Sequence, residues 1–325
     1  MRGLIVVFYI ALSITAIATI VFARGLKDVV LAKNTKINNV SVGKGPDALF
    51  LTPDEKFLYV ANVEDTFISV IDTKEDKVIK KIDVTNYPWG FSLLGKSNLV
   101  AVSSWDKGID IIDFTKHEVV QSKHYNFNLG GLTSTKNGKY IFTVAPEKNK
   151  AFKIDANSLD IIDEYETGNG PDGIGISKND KKIYTANAKD GTISIINLDD
   201  KSSRVIKTGG KPELIHSNHD RSKLYISNFN NNIVHVLATK NDKIIKEISG
   251  LDGPEEAVLS ISEKVLYIVN FNNSKVYTYD AVTYEKLDKE YIVGNKPIGI
   301  APAINDNKLF ISNYGDNSIT VINTN

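Results

Sequence analysis

The chain has 325 residues, 42% of them hydrophobic, and its 39 basic and 39 acidic residues leave no formal net charge. This composition supports a large core, excludes a disordered chain, and lacks the basic excess typical of proteins that bind duplex nucleic acid. The absence of cysteine excludes disulfides, thiol nucleophiles, cysteine-ligated zinc and iron–sulfur clusters.

The first predicted element is an apolar helix near the N-terminus. Residues 4–23 carry no charge and Arg24 follows them, and a helix of this length spans about 30 Å, the thickness of a bilayer's hydrocarbon core. Two interpretations stay open: a secretory signal peptide cut after Ala23, or an uncleaved membrane anchor. Residues 1–24 are thus predicted to be signal or anchor and residues 25–35 a linker. We expect an exported protein that is periplasmic, displayed on the cell surface or secreted.

Three landmarks recur through residues 36–325 with a period of about 42 residues, which is typical of a repeat protein. The first landmark is a proline. It falls at Pro46, Pro88, Pro171, Pro212, Pro254 and Pro297, with Gly130-Gly131 at the remaining position. The second is an apolar run that ends in asparagine, such as Leu58–Asn62, and the third is an Ile-Asp or similar pair, such as Ile71-Asp72. Together these landmarks define seven units.

Each unit has the pattern of four short strands, which in the first unit are residues 48–51, 57–62, 67–72 and 78–84. The second strand is apolar on both faces and the fourth is half polar, so each sheet should pack between two others with its fourth strand outermost. Seven such sheets predict an all-β fold, a seven-bladed β-propeller of four-stranded antiparallel blades. The seventh unit stops after its third strand. Because residues 36–42 have the form of the missing fourth strand, we expect an N-terminal strand to complete the last blade and close the ring.

The order Gly-x-x-Pro, Tyr-Val-Ala-Asn and Ser-Val-Ile-Asp, seen at Gly43–Pro46, Tyr59–Asn62 and Ser69–Asp72, resembles the repeat of the YVTN-family β-propeller proteins. The resemblance covers nearly everything after the apolar segment. It implies seven blades in an exported or surface-layer protein of bacteria or archaea. Some relatives bind DNA or polymers, and more distant seven-bladed propellers are lactonases or lyases. The second and third units depart from the motif, with Ser103 and Ala145 in place of asparagine.

A candidate site follows from strand direction, which alternates within each blade. The Gly-x-x-Pro loops and the loops after Tyr-Val-Ala-Asn should therefore share one face, which surrounds the mouth of the central channel. The residue after each proline should ring this mouth: Asp47, Trp89, Gly131, Asp172, Glu213, Glu255 and Ile298. Glu256 adds a carboxylate, and Trp105 lies in a loop of the same face. The predicted ligand-binding residues are Asp47, Trp89, Trp105, Asp172, Glu213, Glu255 and Glu256.

Acidic groups at one mouth suit a cation, an amine or sugar hydroxyls, and their mutual repulsion should raise some of their pKa values. The alternative is that these side chains cap turns and face water. Aromatic residues on exposed loops suit carbohydrate stacking or peptide anchoring. Lysines of the same face could meet phosphates, but acids neighbour them, so nucleic acid is not favoured as a partner. These lysines are Lys107, Lys189, Lys211 and Lys296.

The fourth residue after each proline is predicted to line the channel more deeply, and His216 is the one titratable residue in that set, which begins with Phe50. His216 is the candidate catalytic base, the alternative being a polar channel residue that holds water. The recurrent strand-end asparagines and aspartates, by contrast, are predicted to hydrogen-bond the turn backbone and to be structural.

The sequence therefore predicts an exported, non-enzymatic binding or surface protein, a monomer that uses no cofactor and meets a membrane only through residues 4–23. Its partner would be a protein, a carbohydrate or a small molecule at the propeller mouth. The alternative is a metal-assisted lactonase or lyase with His216 as base, in which a metal ion is held by Asp172, Glu213 and Glu255.

Overall fold

Seven antiparallel sheets of four strands each make up the protein in its computed structural model, which describes residues 36–303 and 307–323. The predicted leader, residues 1–24, and the predicted linker, residues 25–35, lie outside the described residues. One turn of 3-10 helix at Tyr314–Asp316 accompanies the strands. Across the described ranges, no helix is long and apolar enough to cross a membrane. The predicted seven-bladed, all-β architecture is confirmed, whereas the predicted N-terminal helix is not described.

Each blade is a meander whose strands run in chain order from the channel outwards, except in the seventh blade. The first three blades comprise β2 Pro46–Leu51, β3 Phe57–Asn62, β4 Phe67–Asp72, β5 Lys77–Asp83, β6 Pro88–Leu93, β7 Leu99–Ser104, β8 Gly108–Asp113, β9 Glu118–His124, β10 Leu132–Ser134, β11 Tyr140–Ala145, β12 Lys150–Asp155 and β13 Ile161–Glu166. The next three comprise β14 Pro171–Ile176, β15 Lys182–Asn187, β16 Thr192–Asn197, β17 Ser203–Lys207, β18 Pro212–Ser217, β19 Lys223–Asn228, β20 Ile233–Ala238, β21 Lys243–Ile248, β22 Pro254–Leu259, β23 Val265–Asn270, β24 Lys275–Asp280 and β25 Lys286–Ile292. The seventh comprises β26 Pro297–Pro302, β27 Lys308–Asn313, β28 Ser318–Asn323 and β1 Lys36–Ser41.

The core lies between neighbouring blades. In the first blade β3 is buried on both faces whereas the outermost strand β5 is mostly exposed, as the sequence pattern predicts. Tyr59 and Val70 of that blade pack in one cluster with Val100 and Val102 of the second blade. Each blade therefore presents an apolar face to the next, and removal of this surface from water stabilises the ring of blades.

The ring is closed by β1, which pairs antiparallel with β28 as the fourth strand of the seventh blade. The register places Ile37 opposite Ile322 and Ser41 opposite Ser318, the neighbours that the sequence predicts. Closure covers the edge that β28 would otherwise expose. An ion pair of 2.6 Å from Lys308 Nζ to Asp76 Oδ1 then links the seventh blade to the first.

The strand-end asparagines hold the loops of the mouth face. Asn62 Oδ1 accepts a hydrogen bond from the backbone N–H of Gly43 at 3.1 Å, and Asn228 Oδ1 accepts one from Lys211 N at 2.9 Å. On the opposite face, Asp72 Oδ1 accepts from the backbone N–H groups of the turn that follows it. The structural role predicted for these recurrent residues is confirmed, because each satisfies backbone donors at the end of a strand.

The inner strands carry β-bulges directly after their prolines. The pairing register shifts between Pro46 and Leu49 in β2 and between Pro212 and Ile215 in β18. Bulges redirect side chains and interrupt backbone pairing. The inner strands are therefore irregular at the point where the predicted site residues lie.

Candidate functional site

One cavity of about 530 Å³ lies at the mouth of the channel. The residue that follows each inner-strand proline lines it, as does Gly131 of the third blade: Asp47, Trp89, Gly131, Asp172, Glu213, Glu255 and Ile298. Trp105, His216 and Glu256 line the same cavity. The structure thus brings together every residue that the sequence predicts for binding or for catalysis. The volume of the cavity lies within the range of small-molecule sites.

The third blade reaches the cavity through backbone instead of a side chain. Gly131 N donates to Asp172 O of the fourth blade at 2.9 Å, and a Cβ on Gly131 would lie 2.9 Å from that same oxygen. A residue with a side chain would therefore push the two blades apart. The second glycine of the pair at residues 130 and 131 is required by this close approach between blades.

Glu213 is a buried carboxylate of the mouth with a partner on one oxygen alone. The residue is 8% exposed, and its Oε1 forms an ion pair with Lys211 Nζ. Its other oxygen, Oε2, is buried and carries no hydrogen-bond partner within the described structure. Buried carboxylate oxygens are normally paired, since an unpaired one has lost its hydration without a replacement donor. Glu213 therefore retains unused capacity to accept a hydrogen bond.

The surrounding carboxyl groups resist ionisation. Burial and then the charge of Glu213 raise the pKa of Asp172 to about 6. Burial and the charges of neighbouring carboxylates, that of Glu256 first, raise the pKa of Asp47 well above its usual value. Burial and Glu213 have the same effect on the pKa of Glu255. These shifts follow from carboxylates that share a narrow, partly buried mouth.

His216 is held by a carboxylate that bridges three blades. Its Nε2 lies 3.3 Å from Glu256 Oε1, and Glu256 Oε2 accepts a hydrogen bond of 2.8 Å from Ile300 N in the seventh blade. Burial lowers the pKa of His216, but the charge and hydrogen bond of Glu256 outweigh it, so the net shift is upward. The arrangement favours an imidazolium fixed on Glu256.

Aromatic side chains form a separate part of the cavity wall. The rings of Trp89 and Trp105 lie 5.3 Å apart between centroids at an angle of 37°. Trp105 is 38% exposed, so this pair faces the opening. Lys211 Nζ, close to the carboxylates, lies 5.7 Å from the ring centre of Phe229.

One expectation from the sequence does not match the arrangement of side chains. Phe50, at the position equivalent to His216, packs against Tyr59 and Phe91 between blades and does not line the cavity. Phe50 and His216 share the same bulge and the same pairing register, opposite Tyr59 and Tyr225, so the character of the side chain, and not the strand geometry, distinguishes them. Lys211, for which the sequence indicates acidic neighbours as well as a possible phosphate contact, forms an ion pair with Glu213. The order Lys-Pro-Glu at residues 211–213 indicates this pairing in the sequence, because it places the two charged residues two positions apart.

The suggested metal ligands share the cavity without forming a coordination sphere. In the part of the chain that the structure describes, no group of three or more His, Asp or Glu side chains is arranged so that it could hold a metal ion. This includes Asp172, Glu213 and Glu255, the three carboxylates that the sequence suggests. The mouth is acidic, but its carboxylates do not converge on one point.

The chain resembles known proteins in sequence. Residues 9–305 match the model of a family described as YNCE-like beta-propeller. The chain is also 26% identical over 175 residues to Antigen Lp49 of Leptospira interrogans serogroup Icterohaemorrhagiae serovar copenhageni (strain Fiocruz L1-130). That match covers 46% of the chain and 38% of the antigen, so the chain spans well under half of this relative.

Solved structures of low sequence identity share the fold. One is Kuenenia stuttgartiensis Hydrazine Synthase, with a TM-score of 0.76, 15% identity, and coverage of 86% of this chain and 95% of that chain. Another is the Myceliophteria thermophila Cps50 (Swd1) beta-propeller domain, with a TM-score of 0.75, 10% identity, and coverage of 89% and 99%. At these identities the likeness concerns the propeller fold alone.

Proposed function

The chain belongs to the YNCE-like beta-propeller family, and from this premise we propose that it is a binding protein whose propeller mouth receives a ligand or partner. The observation that carries the proposal is that equivalent positions of the repeats share their place in the fold but differ in the chemistry of their side chains. Equivalent positions of the seven repeats all reach one cavity, yet they are acidic in four blades and aromatic or apolar in others. A purely structural position would repeat the same residue, as the strand-end asparagines do.

The proposed binding residues are those of the mouth: Asp47, Trp89, Trp105, Asp172, Glu213, Glu255 and Glu256. A protein, a carbohydrate or a small molecule fits the cavity size and its mixture of aromatic and charged walls. The equal numbers of acidic and basic residues, and the acids at the mouth, do not favour nucleic acid. We propose that the protein acts as a monomer.

We also propose that the protein is exported. The uncharged residues 4–23 support this, and so does the similarity to a protein described as an antigen. The YVTN-type repeat remains part of the proposal on the strength of motifs such as Tyr59–Asn62. Fusion of residues 1–35 to a reporter enzyme that is active only outside the cytoplasm tests export. An inactive fusion would contradict it.

Within the described residues, the metal-assisted hydrolytic alternative finds only part of its machinery. The suggested base, His216, is held by Glu256, as a catalytic imidazole can be. The three suggested metal ligands do not form a group that could hold an ion within the described ranges. Binding is therefore proposed without an associated reaction.

A thermal-shift screen tests binding at the mouth. The compounds comprise organic cations, organic anions, neutral sugars and short peptides. We compare wild type, the triple variant Trp89→Ala/Glu213→Gln/Glu255→Gln, and the control Glu75→Gln/Glu118→Gln, whose carboxylates are exposed at the opposite end of the blades.

A compound that stabilises wild type and the control but not the triple variant supports the proposal, because a ligand stabilises only the folded state to which it binds. The proposal is contradicted if every stabilising compound acts equally on the triple variant.

A further inference from the structure

We propose that the ligand presents an organic cation, an alkylammonium or guanidinium group, to the carboxylates around Glu213, with its apolar portion on the Trp89–Trp105 pair. This inference rests on the proposed function and specifies its ligand class. A free polyamine and a lysine or arginine side chain of a peptide share this chemistry.

The first argument is the imbalance of charge in the cavity. Five carboxyl groups line it, those of Asp47, Asp172, Glu213, Glu255 and Glu256. One of them is paired with an ammonium group and one with an imidazole, through Lys211 and His216. The other three, Asp47, Asp172 and Glu255, form no ion pair with a described side chain, and burial first and then neighbouring carboxylates raise their pKa values. A cationic ligand would relieve their mutual repulsion.

The second argument is the unused oxygen of Glu213. Its side chain is nine-tenths buried and lines the cavity, yet Oε2 has no donor in the described structure. An unsatisfied buried acceptor has lost its hydration without a replacement donor, which carries a cost in free energy. Any N–H donor that reaches it recovers part of that cost. An ammonium or guanidinium group supplies such a donor together with a positive charge.

The third argument is that the protein already binds an ammonium group here. Lys211 Nζ contacts Glu213 Oε1 and lies 5.7 Å from the Phe229 ring centre. Carboxylate and aromatic ring together are a recognised environment for an organic cation. Phe229 does not line the cavity, but the Trp89–Trp105 pair offers an aromatic surface within it, and tryptophan is the most favourable ring for such contacts.

An organic cation fits this cavity better than a metal ion. Metal ions need several oxygen ligands that converge within about 2.0–2.6 Å, and the described residues form no such group. The wall of the cavity also contains apolar side chains, among them Phe91, Leu132 and Ile174. These match an alkyl or aryl stem that carries its charge at one end.

Fluorescence titration provides the test. The chain has two tryptophans and both line the cavity, so emission excited at 295 nm reports on this site. The probes are 1,5-diaminopentane, spermidine and an acetylated, amidated Gly-Lys-Gly peptide. The comparison compounds are 1,5-pentanediol, glutarate and magnesium chloride at equal ionic strength. The proteins are wild type, Glu213→Gln, Glu255→Gln and the control Glu75→Gln/Glu118→Gln.

We expect saturable binding of at least one amine probe to wild type and to the control. We expect no binding of the comparison compounds to any of the proteins. Each single glutamine variant should weaken that binding tenfold or more. Tighter binding of the peptide than of both free amines identifies a protein side chain as the source, and the reverse identifies a polyamine. Thermal unfolding checks that both variants are folded, and either folded variant is sufficient for the comparison.

Two results would overturn the inference: no amine binds to wild type, or the amines bind equally to wild type and to both folded variants. If sugars or anions bind at the mouth in the thermal-shift screen while amines do not, the cation inference fails and the proposed function stands. If nothing in that screen depends on the mouth residues, the proposed function itself fails.

Discussion

Removal of the Asp172 charge should stabilise the protein at neutral pH. The pKa of this half-buried carboxyl rises from 3.8 to about 6 on folding, chiefly through burial and then through Glu213. Such a rise corresponds to about 3 kcal/mol in favour of the protonated acid. Between about pH 4 and pH 6 the folded protein therefore binds more protons than the unfolded chain, so the free energy of unfolding falls as the pH rises through this window.

The substitution Asp172→Asn keeps the size of the side chain and abolishes this cost. We expect the free energy of unfolding to increase by about 3 kcal/mol near pH 7.5 and by about 1 kcal/mol near pH 4.5, where the folded wild-type carboxyl is almost fully protonated. Urea unfolding followed by circular dichroism at both pH values measures the two differences. Because Glu213 supplies part of the shift, the gain should be smaller in a Glu213→Gln background.

The dependence on pH separates this explanation from ordinary effects of a polar substitution. Glu75→Gln, which removes an exposed carboxylate at the opposite end of the blades, should change stability by less than about 0.5 kcal/mol. The reasoning is refuted if Asp172→Asn gives no gain near pH 7.5, or the same gain at both pH values. A stabilising substitution at a charged binding site would also show that the native residue is retained at a cost to stability.

Three further predictions concern the elements that support the mouth and close the ring. His216→Gln should lower the free energy of unfolding by about 1–3 kcal/mol near pH 5.5 and by less near pH 9. Burial lowers the pKa of His216, but Glu256 outweighs it, so the pKa is higher in the folded protein than in the unfolded chain. The stabilisation by His216 is therefore complete below the pKa of the unfolded state and is lost as the pH rises through the pKa of the folded state. Urea titrations at the two pH values measure this difference. Lys308→Met should cost about 1–3 kcal/mol in urea unfolding, because it leaves the largely buried Asp76 carboxylate without its lysine. Val40→Ala, which shortens a side chain that is 7% exposed in the closing strand, should cost about 1.5–3 kcal/mol by the same measurement.

Exposed counterparts provide the matched controls. Lys56 forms its ion pair with Asp54 in solvent, the two side chains being 71% and 51% exposed, so Lys56→Met should change stability by less than about 1 kcal/mol. Val205 is 52% exposed on the outermost strand of the fourth blade, so Val205→Ala should change the free energy of unfolding by less than about 0.5 kcal/mol. Equal effects at control and test positions would contradict the roles assigned to ring closure. A His216→Gln effect that grows with pH would contradict the assigned protonation.

The propeller architecture could be predicted from the sequence because each blade repeats the residues that begin and end its strands. Proline begins the inner strand and asparagine ends the second, so their spacing gives both the number of blades and the face on which loops lie. The place of β1 could be predicted because the seventh unit contains three of the four strands of a blade. The pairing of Ile37 with Ile322 agrees with that prediction. These features depend on local patterns, which a single sequence displays directly.

The interior of the site was less accessible, because it depends on contacts between blades. Asp172 and Glu213 could be placed at the mouth from their positions after proline, but the contacts of deeper residues depend on the side chain at each position. Phe50 and His216 occupy the same register in their inner strands, yet Phe50 packs against Phe91 while His216 lines the cavity. The pairing of Lys211 with Glu213, and the oxygen it leaves unpaired, depends on side-chain packing that no repeat pattern encodes.

A crystal structure of the protein with spermidine bound would test the central claim most directly. We expect density for the ligand in the mouth cavity, with an amine nitrogen within hydrogen-bonding distance of the Glu213 or Asp172 carboxylate and the alkyl chain against Trp89 or Trp105. Clear density for spermidine elsewhere on the propeller, with an empty mouth at a saturating concentration, would contradict it.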